Sequence, residues 1–387
     1  MQNTLFEQLK IKGFRRLSNV DITFRPLTVM VGANGVGKTS ILDVMTLLAA
    51  SAAGKLNEAI SEFSGLGSIA TYDGEKNIQL ELSMNLKDQA PIEYNLSLAS
   101  SGLAYEIQAE KLTQKRNQTL PTFIYIDSHL ADVKYFEVKS NKLLRPTRPS
   151  WEHNPLESSL SQVPKMFKEP ESFRRSLASS TLYHVLNVAP RAPVRLPQLM
   201  QPSKLPGKDG EDLVSCLYYL RESERDRFES IEDTLRAAFP DFERLDFPPV
   251  AAGTMSLAWK DRNYSRPMFA HQLSEGTLRF LWLITLLHSP SLPAVTMIDE
   301  PEVSLHPEML QLLTELFREA SQRTQLIVAT HSDSLVRFLD PSELAVMDRD
   351  ENGMSSIKWA DSLDIQTWMK DYTLDELWQM GRLGGRS

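Results

Sequence analysis

Nine residues constrain this chain more than any other stretch: Gly32-Ala33-Asn34-Gly35-Val36-Gly37-Lys38-Thr39-Ser40. They read G-x4-G-K-T, the phosphate-binding loop. The apolar, β-leaning run Leu27 to Val31 precedes them, and the apolar run Ser40 to Ala50 follows. The pattern therefore predicts strand, glycine-rich loop, helix. Glycines at 35 and 37, with Asn34 and Ser40 beside them, let backbone N–H groups converge on phosphates. A helix starting near Lys38 adds the positive end of its dipole. Lys38 is placed to reach the β and γ phosphates, and the Thr39 hydroxyl to ligate Mg²⁺.

About 265 residues downstream comes a second constraint, Ala294 to Pro307, AVTMIDEPEVSLHP. An apolar run ends in two adjacent carboxylates, Asp299 and Glu300. Such a strand end suits a metal ion and a water at a sheet edge: the first acid takes Mg²⁺, the second orients or deprotonates the water. Roughly 25 residues ahead of these acids, Leu273-Ser274-Glu275-Gly276-Thr277 opens an apolar helix. Ser274 reads as its N-cap, and with Gly276 it forms a second anion site able to cover a γ-phosphate. After the acids, Met309 to Phe317 marks an amphipathic helix. The strand Gln325 to Ala329 then ends at Thr330-His331-Ser332, where His331 reads as a γ-phosphate sensor.

Composition adds limits. The 387 residues suffice for a large core and for two domains, or one with a big insertion. The single cysteine, Cys216, allows no intrachain disulfide and fits a reducing cytosol. No signal-peptide pattern is visible at the N-terminus. The best membrane-span candidate, 280–298, is broken by His288-Ser289-Pro290-Ser291-Leu292-Pro293. A cytoplasmic protein without membrane contact is expected. The net charge of −8 gives no global sign of nucleic-acid binding.

Between the motifs the chain changes character. Leu5 to Ile11 and Val20 to Phe24 read as strands around the basic turn Lys12 to Arg16. Ile78 to Leu86, Tyr94 to Leu98, Leu103 to Gln108 and Phe123 to Asp127 read as further strands. Residues 145–208 hold 10 of the 22 prolines, with a helix expected over Glu171 to Val188. Lysine and arginine outnumber acids eight to three over 111–148 and eight to two over 165–208. These blocks read either as solvated surface or as a local basic face for a nucleic-acid backbone or a partner. Glu211 to Phe239 reads as one amphipathic helix, without the sustained heptads of a coiled-coil arm. Thr254 to Trp259, Leu344 to Met347 and Met354 to Trp359 read as strands, and 363–387 as a partly helical tail with a flexible Gly-Arg end.

Taken together, G-x4-G-K-T, LSEGT, IDEPE with SLHP, and ATHS resemble the ATP-binding-cassette ATPases of the RecF, Rad50 and SMC type and their compact bacterial AAA-family relatives. The resemblance covers about 1–50 and 250–350. It implies an α/β head with a phosphate-loop core, an antiparallel β flank and an inserted, partly helical lid. The expected division is 1–110 and 251–350 for the head, 111–250 for the insertion and 351–387 for an edge strand and tail. It implies ATP and Mg²⁺ as cofactors, Asp299 and Thr39 as metal ligands, and Glu300 and His331 as catalytic residues. Ser274 and Gly276 would act in trans, so that ATP is sandwiched in a homodimer or higher oligomer; 304–306 would be the D-loop. The signature is LSEGT rather than LSGGQ, and no glutamine equivalent to a Q-loop is evident, Gln79 being one candidate. The tail from Tyr372 to Gly385 resembles that of compact ATPases of anti-phage systems such as PARIS, which implies a small TOPRIM-like effector as partner. A RecF-like ATPase binding DNA directly, and a non-hydrolysing nucleotide-gated scaffold, are the alternatives.

Overall fold

The computed structural model describes residues 5–72, 77–87, 89–101, 104–115, 121–130, 132–137, 142–144, 154–163, 167–365 and 368–384. Of the expectations above, Leu103, the basic residues Arg116, Lys139, Arg145, Arg148 and Lys165, and the end 385–387 lie outside them.

The first half builds β1 (Phe6–Phe14), β2 (Leu17–Thr23), β3 (Leu27–Val31), α1 (Lys38–Ala53), β4 (Asn77–Leu86), β5 (Gln89–Ser101), β6 (Ala104–Gln114), β7 (Phe123–His129), β8 (Asp132–Glu137) and β9 (Lys142–Leu144). All but β3 join one antiparallel sheet in the order β2-β1-β4-β5-β6-β7-β8-β9. Its strands alternate, with Leu9, Ile11, Ile78, Leu80 and Leu82 buried and Gln79 exposed, as a sheet with one covered face must. Residue 110 falls inside β6, and β7 to β9 extend the same sheet through part of the stretch read as insertion.

The second half adds α2 (Lys168–Ser179), β10 (Thr181–Tyr183), α3 (Leu213–Ser223), α4 (Arg225–Ala238), β11 (Phe242–Asp246), β12 (Ala258–Asp261), α5 (Glu275–His288), β13 (Val295–Asp299), α6 (Pro307–Ala320), β14 (Gln325–Thr330), β15 (Leu344–Arg349), β16 (Ser355–Trp359) and α7 (Leu374–Gln379). A second sheet has the order β10-β13-β14-β3-β15-β16, parallel except for the antiparallel edge β16. Every residue of β3 and β14 is buried. They are apolar runs because helices or sheet cover both faces.

Alternate side chains of these strands feed two cores. Met30, Ile327 and Ala329 join the apolar face of α1 and the inner face of the antiparallel sheet. Val29, Val31, Leu326 and Val328 join α3 to α6. The layers are thus antiparallel sheet, α1 and α2, parallel sheet, and an outer helical layer. α1 buries Ile41, Leu42, Val44, Met45, Leu47 and Leu48; at about 1.5–3 kcal/mol each, this fixes the phosphate loop between the sheets.

Two helix readings are corrected. The helix expected over Glu171 to Val188 stops at Ser179, and the next residues form β10, because Leu182 and Tyr183 are claimed by pairing with β13. The single helix over Glu211 to Phe239 is two, parted at Glu224 (φ −137°, ψ 55°). The tail is partly helical, as expected, over Leu374–Gln379, and Leu374, Leu377, Trp378 and Leu383 are buried in the helical-side core. No helix among the described residues is long and apolar enough to cross a membrane.

Candidate nucleotide site

Three neighbouring parallel strands, β13, β14 and β3, end on one side of the sheet. In register, Asp299 pairs with Ala329 and Thr330 with Val31. The acids, the histidine and the phosphate loop therefore meet at the carboxyl edge, where open α/β sheets hold ligands. An open cleft there is lined by Arg15, Arg16, Asn34, Gly35, Gly37, Lys38, Thr39, Ser40 and Glu300.

Gly37, at φ 109°, caps α1 without any side-chain bond, so the first-turn N–H groups stay available to an anion. A Cβ there would stand 2.8 Å from Ser355 Oγ and 3.0 Å from Leu17, so only glycine suits both the turn and the packing. Lys38 is buried, and its Nζ donates to the carbonyls of Gly32 (2.6 Å) and Ala33 (3.0 Å). Burial lowers its pKa, against the pull of Glu300, Asp299 and Glu302. Arg349 Nη2 donates to Asn34 O and Ser355 Oγ to Val36 O, tying the loop to β15 and β16.

Across the cleft, Thr39 Oγ1 donates to Asp299 Oδ2 at 3.3 Å. Burial raises the Asp299 pKa, with Glu300 adding to the effect. A desolvated acid beside a second acid calls for a cation. Among the described residues no three His, Cys, Asp or Glu side chains are grouped to hold a metal by themselves. One carboxylate and one hydroxyl suit Mg²⁺, which keeps several waters and takes phosphate oxygens for the rest of its shell.

His331 Nδ1 lies 3.2 Å from Glu300 Oε1. Glu300 itself sits at φ 51° and Ser304 at φ 64°, two left-handed non-glycine residues within one five-residue turn, each costing of order 1–3 kcal/mol. The Ser274 side chain caps α5, accepting from Thr277 N at 3.1 Å. Gly276 packs on this turn: a Cβ on it would lie 2.4 Å from Ser304 O. Arg279, one turn further along α5, bonds Ser304 Oγ and donates to Leu186 O at 3.3 Å. Ser274 and Gly276 do not line the phosphate-loop cleft of their own chain; Ser274 and Thr277 border a separate concavity with Phe239, Trp259 and Met268.

Four contributors were not assigned from sequence. Arg15 and Arg16 bring the β1–β2 turn to the cleft, Arg15 Nη1 lying 2.5 Å from Asp43 Oδ2. Their basic turn was visible, but its proximity came only with the sheet pairing. His184, at the end of β10, places Nδ1 3.9 Å from Asp299 Oδ2. Glu302 accepts from Thr330 Oγ1 (2.6 Å) and from His331 N (3.1 Å). Gln79 belongs to the antiparallel sheet opposite Lys12; it is exposed and is not among the residues that line the cleft. His129 is exposed at the β7 end and His306 caps α6.

The phosphate loop, the acids and the histidine thus stand at adjacent strand ends of an α/β head with the fold of SMC heads. The chain belongs to the family described as AAA domain, putative AbiEii toxin, Type IV TA system, which matches residues 27–337. Its fold is similar to an SMC head bound to the C-terminal winged-helix domain of ScpA (TM-score 0.55, 16% identity, covering 92% of this chain and 97% of that one). It is also similar to an SMC head with an extended coiled coil, bound to the C-terminal domain of ScpA derived from Pyrococcus furiosus (TM-score 0.53, 12% identity, covering 95% and 98%). A stretch of 44 residues is 43% identical to the OLD nuclease of Thermus scotoductus (strain ATCC 700910 / SA-01), covering 11% of this chain and only 8% of the nuclease.

Proposed function

We propose that the chain binds ATP with Mg²⁺ at this cleft and hydrolyses it between two copies of itself. The observation that carries the reading is the convergence of Lys38, the Thr39–Asp299 pair and the Glu300–His331 pair at three adjacent strand ends. In this reading Asn34, Gly35, Gly37 and Ser40 frame the phosphates, and Lys38 binds the β and γ groups. Thr39 and Asp299 hold Mg²⁺, which when bound offsets charge on the phosphates. Glu300 orients the attacking water and accepts its proton, while His331 holds the Glu300 carboxylate. Ser274 and Gly276, which do not line their own cleft, complete the site of the second copy.

We further infer that it controls an effector, as a sensor and scaffold in anti-phage defence; the family description, which names a putative toxin of a Type IV TA system, and the short match to an OLD nuclease favour a part in a toxin- or nuclease-bearing system. A small TOPRIM-like nuclease is the effector we favour. A direct DNA-binding role gains less support. Arg174 and Arg175 are paired with Glu171, and Arg195 donates to the carbonyls of Val188 and Leu273. The test is the solution mass of wild type and Glu300→Gln, with and without ATP–Mg²⁺, after co-expression with the neighbouring gene. ATP-driven pairing that persists in Glu300→Gln, with a small protein co-purifying, supports the reading. A chain that stays monomeric and alone in all conditions overturns it.

A further inference from the structure

Glu302 is the third acid of the Asp299-Glu300-Pro301-Glu302 run, and the reaction assigned above does not use it. Its side chain is 8% exposed. Oε1 is fixed by the Thr330 hydroxyl at 2.6 Å and the His331 backbone N–H at 3.1 Å. Oε2 is buried without a hydrogen-bond partner among the described residues. Keeping a buried acceptor unpaired costs about 1–3 kcal/mol, so packing alone gives little reason for an acid here.

The histidine explains it. His331 Nδ1 faces two carboxylates at once, Glu300 Oε1 at 3.2 Å and Glu302 Oε1 at 3.5 Å. Two carboxylates facing Nδ1 favour a proton on that nitrogen, which would set the ring tautomer. The two acceptors differ in freedom. The Glu300 side chain is 38% exposed and stands in the open cleft, whereas Glu302 is held by two donors of β14 and its end. A carboxylate that must turn toward a water cannot also be the fixed partner of the histidine.

We propose that Glu302 is the positioning residue of His331: it accepts the Nδ1–H when Glu300 turns to the water, so the ring keeps its place and tautomer while the Glu300 carboxylate is freed. This rests on the roles given to Glu300 and His331 above. No atom is transferred in the exchange; one N–H changes acceptor.

The experiment is ¹⁵N NMR of histidine-labelled full-length chain without nucleotide, with the His331 signals assigned by their loss in His331→Gln. The expected result is an Nδ1–H tautomer in wild type that survives Glu300→Ala and is lost when Glu302→Ala is added to it. An Nδ1–H signature lost in Glu300→Ala, or kept in the double variant, overturns the proposal. If the double variant does not fold, Glu302→Leu alone serves, since it keeps the volume and removes the acceptor. Its kcat should fall roughly 10- to 100-fold with nucleotide Kd within about twofold, and an unchanged kcat overturns the proposal. The tautomer is read without ATP, so a wild type that fails to hydrolyse ATP would overturn the proposed function and leave this result standing on its own.

Discussion

Thr39 and Asp299 stand 260 residues apart in sequence, yet their side chains meet at 3.3 Å across the cleft. That contact joins the two halves of the chain at their functional ends. In the proposed reading it also ranks the residues around it: those on the Thr39 side would hold phosphate, and those on the Asp299 side would meet the water. Variants on the two sides should therefore fail differently.

On the phosphate side, Lys38→Ala should remove nucleotide binding. The ammonium is already directed into the loop by two carbonyls, and a charge-assisted phosphate contact is worth about 1.5–3 kcal/mol. A loss of affinity of at least about tenfold is expected by calorimetry with an ATP analogue. Wild-type affinity would refute the loop assignment.

On the far side, Gly276→Ala forces a methyl toward Ser304 O, which stands only 2.4 Å from the new atom. Backbone must shift, at a cost of about 1–3 kcal/mol, and what shifts is the turn carrying Glu300. Hydrolysis should fall well over tenfold, while ATP affinity measured on the same preparation stays near wild type. Equal losses of both would show that the helix start also supports binding within one chain.

Mixing distinguishes a site made by two copies from a site made by one. Lys38→Ala and Ser274→Arg should each be inactive alone. Combined in equal amounts they should regain activity, with about one site in four intact if pairs form at random. No recovery, from variants shown to exchange partners, would confine the reaction to a single chain.

His288 closes α5 among buried groups, and burial holds its pKa down at about 4 rather than 6.5, with Arg323 and Arg227 adding to the effect and Glu319 opposing it. The unfolded chain takes up a proton below pH 6.5 that the folded chain refuses. The stability present above 6.5 is therefore lost progressively as the pH falls toward 4, by up to roughly 3 kcal/mol. Urea unfolding of wild type and His288→Leu at both ends of that window should show a smaller acid loss in the variant. Parallel curves would assign the acid sensitivity elsewhere.

The strand ends were legible because each motif carries its own local signal. Glycines at 35 and 37 demand a tight loop, and adjacent acids after four apolar residues demand an edge. Glu302 was not legible, because an acid two places beyond Glu300 looks solvated until β14 is laid beside β13 and Thr330 reaches it. His184 was hidden for a similar reason. Its strand of three residues is too short to show a period and exists only by pairing with β13. The break at Glu224 escaped because the apolar spacing continues on both sides of it.

One feature of the fold bears on how such a head could signal. The longest helix among the described residues is α1, with 16 residues, or about 24 Å, and it lies inside the core. Among the described residues, then, no helix projects as a lever. If nucleotide shuts two copies together, the described residues carry no long arm to transmit a stroke. What remains is duration: the message is how long the pair stays shut, and Glu300 and His331 would be the clock that ends it.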